Sequence, residues 1–170
     1  MIYQRDILAY GSSESVRKSE DIVEDALKQG KQTAFLSHSH KDADLAKRLQ
    51  TFLQKNGWHV YIDWQDTSMP SKPNAVTAEK IRAKIKRLDW FLYLATHNSA
   101  ASRWCPWEIG YADGVKQHGR IVIVPTVDDS GQSHGNEYLD LYRHVDRANG
   151  GGFGVFGPDN RGTLLEGVRP

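Results

Sequence analysis

The stretch Thr96–Glu108, THNSAASRWCPWE, runs from small polar residues into two tryptophans, a cysteine and a glutamate. Trp104 and Glu108 are four apart, so on a helix they share one face. An aromatic plane beside a carboxylate suits a ligand that carries a flat cationic ring on a sugar. The ring would stack on the Trp104 indole through cation–π attraction. Glu108 would hold sugar hydroxyls and stabilise positive charge developing at the anomeric carbon. The same residues also have a plainer reading. Pro106 favours a helix start with Cys105 as N-cap, Pro106 at N1 and Glu108 at N3, where an acidic side chain is stabilising in its own right. Trp104 and Trp107 would then be core aromatics. The residue types alone leave both readings open and lean to the plainer one.

A second cluster, SHSHKDAD, spaces His38, His40 and Asp42 like the first part of the His-x-His-x-Asp-His motif of β-lactamase-type metallo-hydrolases. The fourth position is Ala43, and His97, His118, His134 and His144 offer no ligand grouping to replace it. A metal-dependent hydrolase using His38, His40 and Asp42 is therefore a minor alternative, and no metal is expected. Cys105, with no evident histidine partner, reads as a packed thiol rather than a nucleophile. Ser99 and Ser102 read as helix caps.

The elements that must position these residues follow from periodicity. Residues 12 to 30 read as a helix, with Val16, Ile22, Val23, Ala26 and Leu27 on one side and Gly30 as its stop. Thr33–Ser37 is a short apolar strand. Ala43–Asn56 places Leu45, Leu49, Phe52 and Leu53 at helical spacing, ended by Asn56-Gly57. Trp58–Asp63 alternates, with Trp58, Val60 and Ile62 opposite His59, Tyr61 and Asp63, and Gln65–Asn74 is a long loop. A further helix sets Ala78, Ile81, Ile85 and Leu88 inward. Trp90–Ala95 is a covered parallel strand, a short helix spans about Trp104–Lys116, and Ile121–Val127 is another buried strand. Glu137–Val145 fits either a helix or a fifth edge strand, and the tail from Gly150, with GGFGVFG, reads as irregular. Strand alternating with helix implies a doubly wound α/β sheet of four to five mostly parallel strands with helices on both faces. Ligands of such sheets gather where the strands end, which here means Ser37–Asp42, Asp63–Pro73, Thr96–Glu108 and Asp128–Gly135.

The composition sets limits. A chain of 170 residues fits a single domain, here divided as an N-terminal helical extension (1–30), a main domain (31–149) and a glycine-rich tail (150–170). One cysteine excludes an internal disulfide framework and agrees with a reducing compartment, hence a cytoplasmic location. Met1–Tyr10 lacks the apolar core of a secretion signal, and no run approaches the ~20 apolar residues that span a bilayer. A formal net charge of +1, with both signs interspersed, gives no reason to expect nucleic acid or a membrane surface as partner.

The run SRWCPWEIGYADG resembles the WCxxE segment of Toll/interleukin-1 receptor (TIR) domains. Three more segments match in order: AFLSHSHKDADLAKRLQTFLQKNGW resembles the first TIR box, VYIDW the second strand leading into the BB loop, and DWFLYLATHNSAASRW the third strand and its exit. The BB-loop run DWQDTSMPS lacks the usual arginine and glycine, and the late Phe-Trp box of animal receptors is missing, which favours a bacterial-type member. The resemblance implies a flavodoxin-like fold and, as in many bacterial, plant and axonal TIR domains, an NAD⁺-cleaving enzyme. NAD⁺ would be the substrate, with no other cofactor. Glu108 would be the catalytic glutamate and Trp104 the stacking tryptophan. Ser37, His38, Asp63 and Trp64 would line the same cleft, although a helix-capping turn explains Ser37 and His38 as well. The products would be ADP-ribose or a cyclic or conjugated form of it, released as a signal in antiphage defence. The resemblance further implies self-association through the BB loop, about 64–73, and a separate effector or sensor protein. The alternative within the family is a non-catalytic scaffold that acts by TIR–TIR assembly.

Overall fold

A computed structural model describes residues 2–11, 18–70, 72–134 and 137–168. In chain order the elements are β1 (Ile2–Tyr3), α1 (Gln4–Leu8), α2 (Ser19–Lys28), β2 (Thr33–Ser37), α3 (Ala43–Lys55), β3 (His59–Tyr61), α4 (Ala75–Arg87), β4 (Trp90–Ala95), α5 (His97–Ala100), α6 (Cys105–Val115), β5 (Ile121–Val127), β6 (Ser133–His134), β7 (Arg143–Arg147), β8 (Phe153–Phe156) and β9 (Gly162–Leu164).

Local chemistry explains where the elements begin and end. Asn74 and Thr77 form a reciprocal capping box that starts α4. Gly57, at φ 85°, takes the left-handed turn that releases the chain from α3 into β3. The strands alternate as the period-2 pattern requires, and each sheet face has its own core. Ala34, Leu36, Val60, Leu92, Leu94, Val122 and Val124 pack against Leu45, Leu49, Phe52 and Leu53 of α3. Phe35, Tyr61, Phe91, Tyr93, Ile121 and Ile123 pack against Ile81 and Ile85 of α4 and Ile109 and Ala112 of α6. Each fully buried large apolar side chain contributes about 1.5–3 kcal/mol.

The described strands form one nine-stranded sheet with the order β3-β2-β4-β5-β7-β8-β9, and β1 and β6 both pair with β5. The run β3-β2-β4-β5-β7 is parallel throughout. That is the doubly wound order in which the chain reverses direction between β2 and β4, so the crevice beyond Ser37 and Ala95 is the topological switch point.

The structure corrects the sequence reading in several places. The expected four or five strands become nine, because two short strands, β1 and β6, flank β5 and the tail adds two more. The glycine-rich tail is paired rather than irregular: β8 runs antiparallel to β7, and β9 antiparallel to β8. Its glycines serve close approach, since a Cβ at Gly162 would collide with the Val155 carbonyl oxygen. Val155, Leu165 and Val168 enter the core, and the Trp58 indole donates to the Leu165 carbonyl at 3.0 Å. The ambiguous segment Glu137–Val145 divides into a 3₁₀ turn, Glu137–Leu141, and strand β7, which is interior because β8 covers its outer side. Of the helix expected over 12–30, α2 buries Ile22, Val23 and Ala26, while 12–17 lies outside the described residues. The strand expected over Trp58–Asp63 is limited to His59–Tyr61, with Asp63 opening a 3₁₀ turn.

Candidate active site at the switch point

Helix α6 starts at Cys105, one residue earlier than the capping argument placed it. Trp104 is the N-cap and Pro106 lies at the second helical position. The Ser102 hydroxyl accepts from the Trp104 and Cys105 amides at 3.1 and 3.3 Å, and Ser99 closes a capping box with Thr96, so both serines cap as expected. Glu108 falls in the first turn, its amide bonded to the Trp104 carbonyl at 2.8 Å. The helix turns the Glu108 side chain inward, where it is only 4% exposed. There the Ser37 hydroxyl, at the end of β2, donates to Glu108 Oε2 at 2.6 Å.

This carboxyl is poised near neutrality. Burial pushes its pKa up to about 8; the Ser37 hydrogen bond opposes that rise, and the negative charge of Asp63 adds to it. Asp63 opens the turn after β3, accepts the Trp64 amide at 2.9 Å, and leaves the Trp64 side chain exposed. His38 is buried beside Ser37, with Nδ1 3.0 Å from the Leu36 carbonyl oxygen. Burial lowers its pKa against the opposing pull of Asp63. The fold thus gathers Ser37, His38, Asp63 and Glu108 at one end of the sheet, with Trp104 half-buried at the helix start. Trp104 meets Trp107 edge to face at 5.4 Å, whereas Trp107 is surface-exposed and stacks on Tyr111 at 6.1 Å. The plainer reading of Trp107 as a core aromatic is therefore wrong, and Glu108 is no ordinary exposed first-turn acid.

Cys105 is fully buried, and burial together with the nearby Glu108 raises its thiol pKa to about 12. It is a packed thiol. The metal alternative loses its geometry. Asp42 has both oxygens engaged, one by the Thr96 hydroxyl and one by the Asn98 amide, each at 2.6 Å, and His38 Nδ1 is turned to the Leu36 carbonyl. Among the described residues no group of three His, Cys, Asp or Glu side chains could hold a metal ion.

Two features escaped sequence reasoning. Asp42 ties the exit of β2 to the exit of β4 at the switch point. Asp66 is 2% exposed and anchors the long loop: it accepts from the Tyr61 hydroxyl at 2.7 Å and the Ser68 amide at 2.9 Å. Burial alone would raise its pKa, but the hydrogen bonds from Ser68 and Tyr61 hold it down to about 2. The alternation that turns Tyr61 away from Trp58 was a signal for the first partner. Nothing local marked Asp66 among its polar neighbours.

Residues 34–152, well over half the chain, match the family model of the TIR domain. This chain belongs to the TIR domain family. The match begins in β2 and runs through β7, so it takes in every residue gathered at the switch point. The TIR chain is 36% identical over 115 residues to a protein of Bacillus cereus (strain MSX-D12) named a probable 3' cyclic ADP-D-ribose synthase, ThsB', covering 65% of this chain and 58% of that one. It is 25% identical over 105 residues to a Cytobacillus dafuensis protein provisionally named cyclic ADP-D-ribose synthase TIR2, covering 60% of this chain and 27% of that one. The chain therefore spans less than two thirds of the length of either bacterial relative. Among the described residues, no helix is long and apolar enough to cross a membrane.

Proposed function

We propose that this TIR domain cleaves the nicotinamide–ribose bond of NAD⁺ and converts the remainder to a cyclic ADP-ribose, with ADP-ribose as the hydrolytic by-product. The observation that carries this reading is Glu108, a buried carboxyl at the switch point, hydrogen-bonded by Ser37 and with a pKa raised to about 8. An opposite charge within about 4–6 Å lowers a carboxyl pKa by roughly 1–3 units. The pyridinium ring of NAD⁺ would thus draw Glu108 into its ionised form as it binds. Nicotinamide leaves as a neutral molecule and needs no strong acid. The developing oxocarbenium-like ribosyl group does need stabilisation, and a preorganised carboxylate in a dry site supplies it.

In this reading Glu108 is the catalytic residue and Ser37 orients it. Trp104 stacks on a ring of the nucleotide, and His38, Asp63 and Trp64 line the cleft. The names of the two bacterial relatives support a cyclic product. NAD⁺ serves as substrate and no further cofactor takes part. By family likeness the domain works in the cytoplasm in antiphage signalling, self-associates through the loop of about 64–73, and acts on a separate effector or sensor protein.

The test is incubation of the purified chain with NAD⁺ at low and high protein concentration, with chromatography and mass analysis of the products. The parent is expected to release nicotinamide, and a folded Glu108→Gln to lose about 10²–10³-fold of that rate. Equal release by both proteins would remove Glu108 from the mechanism. Release by neither, at any concentration, would favour the scaffold.

A further inference from the structure

His38 follows Ser37 directly and is 8% exposed. Its Nδ1 lies 3.0 Å from the Leu36 carbonyl oxygen. A carbonyl only accepts, so Nδ1 carries the proton and Nε2 of the neutral ring is a bare acceptor. That Nε2 is buried and has no hydrogen-bond partner among the described residues. A buried acceptor that has given up water and received nothing in return is rare, because it costs free energy. The charged and titratable groups acting on the ring are Asp63, His40 and Asp42; burial, with His40 on its side, outweighs the pull of Asp63 and Asp42 and keeps the imidazole neutral, the form that can take up a proton. Asp63 acts on Glu108 as well, so one carboxylate lies within electrostatic reach of both groups. Both are closed off from solvent.

We propose that Nε2 of His38 accepts the proton of the ribose hydroxyl that closes the cyclic product. This inference rests on the NAD⁺ reading above. The primed locant in the name of the Bacillus cereus relative denotes a ribose position, and a 3' ribose position carries a hydroxyl. In the proposed step the bond from the anomeric carbon to the nicotinamide nitrogen breaks, and its electron pair leaves with neutral nicotinamide. A hydroxyl oxygen of the adenine-side ribose then bonds to the same anomeric carbon, and its proton passes to Nε2. The imidazolium returns that proton to water as the product departs. One NAD⁺ yields one nicotinamide, one cyclic ADP-ribose and one proton. Closure through an adenine ring nitrogen would attack with a lone pair and release no hydroxyl proton. The ribose hydroxyl is tethered to the substrate and can be presented to Nε2, whereas a competing water has no fixed place beside it. A base inside the site therefore favours closure over hydrolysis.

The experiment reads the ratio of cyclic to linear product per nicotinamide released, using the full chain with NAD⁺ at high protein concentration. Two variants separate the roles of the ring. His38→Asn keeps a donor near the Nδ1 position for the Leu36 carbonyl and removes Nε2. His38→Gln places a hydrogen-bonding group near the Nε2 position but supplies no base. General bases contribute about 10²–10⁴-fold, so the ratio is expected to fall at least about tenfold in both variants, whatever happens to total turnover, with melting temperatures close to the parent's. An unchanged ratio in either folded variant overturns the proposal, and a ratio rescued by glutamine reduces His38 to a positioning residue. Parent product joined through an adenine nitrogen, read by NMR, also overturns it and leaves the NAD⁺ reading intact. A parent that releases no nicotinamide removes that reading and this proposal together.

Discussion

Replacing Glu108 with glutamine is expected to cost about 10²–10³-fold in activity and yet to make the fold gain stability relative to the parent as pH rises. In the folded chain the carboxyl pKa is raised from 4.5 to about 8, chiefly by burial. The folded state therefore holds the proton more tightly than the unfolded state does. Between those two values the unfolded chain is ionised and the folded chain is not, so stability is full below pH 4.5 and falls as pH rises toward 8. The loss runs at about 1.4 kcal/mol per pH unit. From pH 5 to pH 8 it comes to roughly 4 kcal/mol, a large share of the 5–15 kcal/mol typical of a domain.

Glutamine has nearly the shape of the neutral acid and can still accept the Ser37 hydroxyl, but it does not titrate. Whatever its amide costs inside the site is the same at every pH and cancels from the slope. Urea unfolding of parent and Glu108→Gln at pH 5, 6, 7 and 8 would measure the difference directly, with m-values checked for constancy. The variant should gain on the parent steadily across the series, reaching about 3–5 kcal/mol between the two ends. A flat difference would mean that Glu108 is ionised in the fold, and the argument from burial would fall. A rising one would mark the site as a place where stability is given up for chemistry.

Ser37→Ala removes a 2.6 Å hydrogen bond that favours the ionised form of Glu108. Bonds to charged groups are worth about 1.5–3 kcal/mol, so the rising limb of kcat/KM against pH, starting near about 8, should move up by roughly 1–2 units; an unmoved limb would refute the coupling. Deleting residues 151–170 strips Val155, Leu165 and Val168 from the core and takes away the acceptor of the Trp58 indole. At about 1.5–3 kcal/mol for each large apolar side chain, that approaches the whole stability of a domain. Chemical denaturation should then show no cooperative transition, whereas a parent-like midpoint would make the hairpin a mere appendage.

Much of the fold is legible in the sequence because its elements are coded locally. The strands Thr33–Ser37, Trp90–Ala95 and Ile121–Val127 coincide with β2, β4 and β5, since runs of apolar residues covered on both faces leave little choice of state. The helix over Ala43–Asn56 ends at Asn56-Gly57 because only a left-handed residue closes that turn cheaply. Strand pairing is another matter. GGFGVFG has weak strand character by composition and becomes β8 only because β7 offers an unpaired edge and the core a place for Val155. Arg143–Arg147 becomes an interior strand for the same reason, seen from the other side.

The site divides along the same line. The sequence determined the ingredients: a glutamate four residues beyond a tryptophan at a helix start, a serine ending the first strand of the parallel core, and an aspartate opening the long loop after β3. Tertiary structure decided what they are. Ser37 and Glu108 stand 71 residues apart in the chain, and only the reversal of strand order between β2 and β4 brings them to 2.6 Å. Whether Glu108 is an exposed first-turn acid or a buried carboxyl with a pKa near 8 depends on how far the sheet and its helices exclude water, and that is a property of the assembled core rather than of any segment. The vacant acceptor on His38 belongs to the same class, because a hydrogen bond left unmade exists only once the surroundings that withhold it are in place.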